Sequence, residues 1–228
     1  MRLLCLLAAA AFCVATGCAH RGAPTAYPEI DHDAAPARLA IVELLASDYL
    51  PAFPECEKPD VMCLDPAPTW VKLQVLETLN GEPLPRTVYA STTSHYGKMT
   101  AYGRVQGPQL MLLLGGNEEL VMARYARAPL AVDGGRRFHL LLHNAGPHWL
   151  PCDVATLRQP VTDPVLAKAG AVPRQRFEDV RREGDEAFYR IEADVAYPRY
   201  SLPIGALEDL LDRQGWTAPA LRCSRTGA

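Results

Sequence analysis

The sequence predicts a mainly β domain, a barrel or a sandwich, followed by a C-terminal α+β extension. Three observations carry that expectation. Short apolar or alternating runs recur at close spacing from Arg38 to Asn144, turn-forming residues separate them, and charged helical texture begins only after Pro160.

Arg38–Ser47 (RLAIVELLAS) is apolar nearly throughout and suits a buried strand, although its Leu and Ala also allow a helix. Asp48–Thr69 carries five prolines and two cysteines, so it must be a long irregular loop. Trp70–Thr78 alternates, with Val71, Leu73 and Val75 on one face and Lys72 and Gln74 on the other, as a half-buried strand does. Asn80-Gly81 tolerates positive φ, and the β-branched run Arg86–Thr93 supplies the next strand. His95–Gln109 is polar and Gly-rich, hence a loop. Leu110–Leu114 is a short apolar strand closed by Gly115-Gly116, and Leu120–Ala128 alternates again. Leu130–Val132, the Asp133-Gly134-Gly135 turn and Arg136–Asn144 then read as a hairpin.

Beyond Pro160 the pattern changes to charged helical segments, with one further alternating run at Ala187–Val195. Ser201–Gln214 reads as a helix capped by Ser201, with Pro203 in its first turn and Gly215 after its end. Ile204, Leu207, Leu210 and Leu211 form the stripe expected to pack on the sheet.

Ahead of the domain, Arg2 precedes an uninterrupted apolar run from Leu3 to Ala15. That is the length of a signal-peptide core and short of the roughly 20 apolar residues a transmembrane helix needs. The run ends Val14-Ala15-Thr16-Gly17-Cys18, which resembles the lipobox of bacterial lipoproteins. The resemblance implies cleavage before Cys18 and acylation of that cysteine. Ala15 departs from the more usual leucine at its position. In that family an aspartate directly after the cysteine favours retention at the inner membrane; here the residue is Ala19, so the resemblance implies the outer membrane, facing the periplasm. Two readings compete: cleavage after Ala19, which would release a soluble periplasmic protein, and an uncleaved helical anchor. The chain then divides into a signal at 1–17, a lipidated flexible tether at 18–37, a barrel domain at 38–158 and an extension at 159–228.

The formal net charge is −3, and removal of Arg2 with the signal makes it −4, which excludes a general affinity for nucleic acid. Four cysteines remain after Cys5 and Cys13 leave and Cys18 is acylated: Cys56, Cys63, Cys152 and Cys223. In an exported chain they predict disulfides. Three connectivities are possible, and Cys56–Cys63 with Cys152–Cys223 is favoured because the first pair closes a Pro-rich loop and the second ties down the chain end. No CxxC pair or zinc-module spacing is present, so no metal or cofactor is expected.

The strand order, the phrase VLETLNGE, the strand RTVYA and the hairpin APLAVDGGRRFHLLLHN together resemble the netrin-like domains, the group that includes the tissue inhibitors of metalloproteinases. The resemblance covers residues 38–155. It implies a small closed or partly open antiparallel barrel of the OB type. It does not carry protease inhibition, because those inhibitors use a free N-terminal cysteine that acylation of Cys18 would remove.

No GxSxG elbow, HExxH or phosphate loop is present, and Ser94-His95 are merely adjacent, so no catalytic residue is expected. His139 and His143 would lie on one face of a strand but about 13 Å apart at strand rise, too far for one metal; with His148 they read as a half-exposed sheet face. The expected function is a lipid-anchored, non-enzymatic binding or envelope-assembly module with an envelope protein as partner. The alternative is a periplasmic metal- or small-ligand-binding enzyme, which a pocket gathering two of His95, His139, His143 and His148 would favour. The expected binding surface is the stiff loop after the first strand, whose Tyr49, Leu50, Phe53, Val61, Met62 and Leu64 exceed a connector's apolar needs.

Overall fold

The computed structural model describes residues 22–32, 34–60, 62–63, 66–93, 107–116, 119–142, 149–150, 152–180 and 185–215. Five strands close the barrel: β1 (Ala37–Tyr49), β2 (Thr69–Thr78), β3 (Thr87–Thr92), β4 (Gln109–Gly115) and β5 (Leu120–Val132). Their order is β3-β2-β1-β4-β5, and β5 returns to pair with β3, so the ring is complete. It is mainly β and OB-like, as predicted, with one correction to the all-antiparallel expectation. The closing pair is parallel, with Ala90 opposite Leu120 and Ser91 opposite Val121.

Closure requires stagger, because strands that tilt around a ring cannot meet at equal heights. Following partners from Asp48 leads through Trp70, Ser91, Val121 and Leu114 and returns to β1 at Ala37, eleven positions lower (48 minus 37). Two bulges in the β1–β2 pair, one at Leu76 of β2 opposite Ile41 and Val42 and one at Leu45 of β1, bend the strands along that path. At the β4–β5 turn Gly115 has φ +110, and any side chain there would strike the Glu119 carbonyl.

The lumen holds one core: Val42, Val71, Leu73, Val88, Met111 and Leu113 are among its members. A second core lies outside the barrel against β1 and β4. There Leu39, Ile41, Leu110, Leu112 and Leu114 pack with Leu202, Leu207 and Leu211 of the extension. Successive side chains point to opposite faces of a strand, so the first half of β1 and all of β4 are buried on both. That two-sided burial explains their unbroken apolar runs and selects strand over helix for RLAIVELLAS.

The segment before β1 carries no helix or strand over its described residues 22–32 and 34–36. Ile30 and Ala35 pack against the second core, and the Pro36 carbonyl accepts from the Gly115 amide at 3.0 Å. Asn80 continues this latch from the other side. Its Oδ1 accepts from the Leu39 amide at 2.6 Å and its Nδ2 donates to the Ala37 carbonyl at 3.0 Å.

Leu130–Val132 is not a separate strand but the end of β5, which passes from the barrel into the hairpin with β6 (Phe138–Leu141). β6 then pairs with β11 (Tyr200–Pro203), and β11 with β7 (Gln159–Pro160), so the extension adds strands to the barrel's own sheet. The predicted alternating run Ala187–Val195 is instead a helical turn at Asp185–Phe188, then β9 (Tyr189–Glu192), then a turn in which Ala193 takes φ +50. β9, β10 (Val195–Pro198) and β8 (Val172–Pro173) form a separate small sheet. Between these lie the helices Pro164–Ala169 and Arg174–Val180. Gly170 ends the first where a side chain would collide with Leu141 and Pro198, so that helix docks on both sheets at once.

The C-terminal helix begins at Ile204 rather than Ser201, because Tyr200–Pro203 is drawn into the sheet; Pro203 takes the N-cap position and Ser201 is a strand residue. Its stripe of Ile204, Leu207, Leu210 and Leu211 is buried as expected, and Gly215 closes it in the left-handed conformation.

Two-sided burial of β4 yields a prediction. Leu112→Ala and Leu113→Ala, on opposite faces, should each cost about 2–5 kcal/mol. Urea unfolding of the two variants checks this; near-neutrality of either one would show that its face is not packed.

Candidate functional site

Two arrangements stand out, one exposed and one buried. The exposed one is the β1–β2 loop, residues 50–68. Leu50 turns inward at 4% exposure and its amide donates to the Pro68 carbonyl at 2.7 Å, so the loop's two ends are pinned together. A single helical turn, Pro54–Glu57, follows, and Cys56 is disulfide-bonded to Cys63. Outside this frame Phe53 is 37% exposed, Tyr49 48% and Met62 85%. Leu45, the unpaired residue of the β1 bulge, adds another exposed apolar side chain on the strand below.

Of the predicted loop residues, Tyr49, Phe53 and Met62 thus face solvent. Leu50 does not: it is core, and the expectation that it binds a partner is corrected by its burial. Val61 and Leu64 lie outside the described residues. Tyr27, within the predicted tether, belongs to the surface, because its ring meets Phe53 edge-on at 5.5 Å. Nothing in the sequence marks that contact, since 26 positions separate the two (53 minus 27). Beside the loop, the outer face of β2–β3 carries Trp70 edge-on to Tyr89 at 5.6 Å, with the Lys72 ammonium 5.7 Å from the Tyr89 ring.

The buried arrangement links the β5–β6 hairpin to the extension. The Asp133 carboxylate accepts from the Arg137 amide and from its Nε, both at 2.8 Å. The Arg137 amide, then the guanidinium and His139, hold the Asp133 carboxyl down to about 2 against the opposing effect of burial. A carboxylate only accepts, so His139 Nε2 must donate to Asp133 Oδ2 across 3.2 Å. In the neutral ring Nδ1 is then the acceptor, and the Ser201 hydroxyl donates to it across 3.3 Å. Asp163 reinforces the turn by accepting from the Gly134 amide at 2.9 Å.

His139 is therefore buried, at 6% exposure, and the expectation of a half-exposed histidine face is corrected by these two partners. Ser, His and Asp in a line invite comparison with a hydrolytic triad. Ser201 is 2% exposed and sits mid-strand between β6 and β7, with no room for a substrate carbonyl at its oxygen. The array's evident work is to pin β11 to the hairpin.

The remaining histidines singled out, His95, His143 and His148, lie outside the described residues, as do Cys18 and Cys223; the Cys152–Cys223 pairing therefore does too. Among the described residues no three His, Cys, Asp or Glu side chains come together to hold a metal ion. Among them, too, no helix is long and apolar enough to cross a membrane. An open cleft of about 790 Å³ lies between the helix Pro164–Ala169 and the small sheet, lined by Lys168, Tyr197 and the ion-paired Arg190 and Glu192 among others. His139 does not line it. Comparison with protein-family models, curated proteins and solved structures finds no match.

The buried array sets an acid limit on stability. Asp133 is held in the folded state below its ordinary value of 3.8, so its contribution is complete above that value and is lost as pH falls through about 2. Asp133→Asn should flatten this part of the stability profile between about pH 4 and 2. Thermal unfolding of both proteins across that range checks it; parallel profiles would remove Asp133 from the explanation.

Proposed function

We propose that this protein is a lipid-anchored, non-enzymatic binding or envelope-assembly module, held at the outer membrane through Cys18 and engaging a protein partner with its β1–β2 loop. The observation that carries this reading is the exposure of Tyr49, at the end of β1, and of Phe53 and Met62 on a loop whose ends and middle are fixed by Leu50, Pro68 and the Cys56–Cys63 bridge. A loop held in one conformation loses little further freedom on binding, so more of its contact energy appears as affinity. Loops between barrel strands are common binding elements in OB-like folds. The anchor rests on the signal and lipobox pattern ending at Cys18. The resemblance to netrin-like domains rests on the sequence phrases alone, and metalloproteinase inhibition does not enter the proposal.

Two outcomes are expected. Phe53→Ser with Met62→Ser should abolish capture of the cross-linked envelope partner while leaving the thermal midpoint within a degree or two, as surface substitutions do. A large stability loss would make the loop part of the core and end the reading. Cys18→Ala should leave the precursor uncut by the lipoprotein peptidase and move the protein out of the detergent phase; a variant that still matures and partitions with lipid would refute the anchor.

A further inference from the structure

The chain's charge is not spread evenly. Between positions 22 and 69 there are nine acidic residues and two basic ones, Arg38 and Lys58, a net −7. The whole chain is −3, so everything outside that segment sums to +4 (−3 minus −7). The segment comprises the arm bearing Tyr27, strand β1 and the β1–β2 loop, and the Tyr27–Phe53 contact joins arm to loop. Glu55, Glu57 and Asp60 on the loop are exposed and engaged in no ion pair among the described residues. One basic residue of the segment is spent elsewhere, since Arg38 is buried in the barrel wall and donates to the Gly115 carbonyl.

The apolar patch of Tyr49, Phe53 and Met62 is thus edged by carboxylates that make no ion pair among the described residues, on a molecule whose other parts are net positive. Such an edge steers oppositely charged partners in and penalises like-charged ones, while the apolar centre supplies the contact energy. It also repels the anionic headgroups of a membrane surface. We infer that the occupant of this surface is a basic polypeptide segment carrying exposed apolar side chains. The inference rests on the reading that the β1–β2 loop is the binding surface, and it adds the chemistry of the partner.

The test uses the full chain in detergent and three immobilised peptides: an amphipathic Lys/Leu helix, its Glu/Leu counterpart and a basic Lys/Ser peptide without apolar side chains. The Lys/Leu peptide should bind about tenfold more tightly than either of the others, and its affinity should fall steeply between about 50 and 500 mM salt. Glu55→Gln/Glu57→Gln/Asp60→Asn should weaken it about tenfold, and Phe53→Ser/Met62→Ser should weaken it as much. Glu55→Lys/Glu57→Lys should shift preference toward the Glu/Leu peptide, a gain that misfolding cannot produce. If the neutralised variant binds like the parent while the Phe53/Met62 variant has lost binding, the basic partner is refuted and the loop surface stands. If both variants bind like the parent, the peptide sits elsewhere and both readings fall.

Discussion

The structure depends on β1 and β4 being packed from both sides. Leu39 and Ile41 face the extension while Ala40 and Val42 face the lumen, and Leu112 and Leu113 divide β4 in the same way. A small barrel offers one lumen and a large outer surface, so an apolar outer face on two strands obliges the chain to supply a cover. The C-terminal helix, β6, β11 and the Cys152–Leu157 turn are that cover. Among the described residues, these elements leave open the flank with Trp70, Lys72 and Tyr89, and the loop beside it. The position of the candidate site therefore follows from which side of the barrel is occupied.

Much of this architecture was legible in local pattern. The unbroken run in β1, the alternation in β2, the Asp-Gly-Gly hairpin and the leucine stripe of the last helix each express a periodicity that burial imposes, and each appears where expected. Features set by a few distant contacts were not legible. The parallel closure rests on Ala90, Ser91, Leu120 and Val121, and no local rule distinguishes those residues from an ordinary antiparallel set. Ser201 has the composition of a helix cap, yet Leu141 and Gln159 on either side recruit it into a sheet. The loop divides similarly. Phe53 and Met62 were readable as surplus apolar side chains, whereas the inward turn of Leu50 and the approach of Tyr27 depend on how the strands close.

The Asp133–His139–Ser201 line shows why composition alone is a poor guide to chemistry. Each residue satisfies the next, from a carboxylate fixed by a turn amide to a hydroxyl on a strand more than 60 positions away (201 minus 139). A buried polar group is costly unless it is paired, so a fully paired set specifies one mutual arrangement of hairpin and extension and disfavours others. A nucleophile would need the reverse, an oxygen open to a partner that the protein itself does not supply.

The shared second core also dictates an order of events. Leu39 and Leu202 belong to one cluster although they are 163 positions apart (202 minus 39), so a chain emerging from its N-terminus builds the barrel long before the residues that cover it exist. Until then a finished wall of leucine and isoleucine faces solvent, the kind of intermediate that associates with its neighbours. Leu202, Ile204, Leu207 and Leu211 are thus the late-arriving residues that make the first strand safe, and a chain lacking them would present that wall to its neighbours.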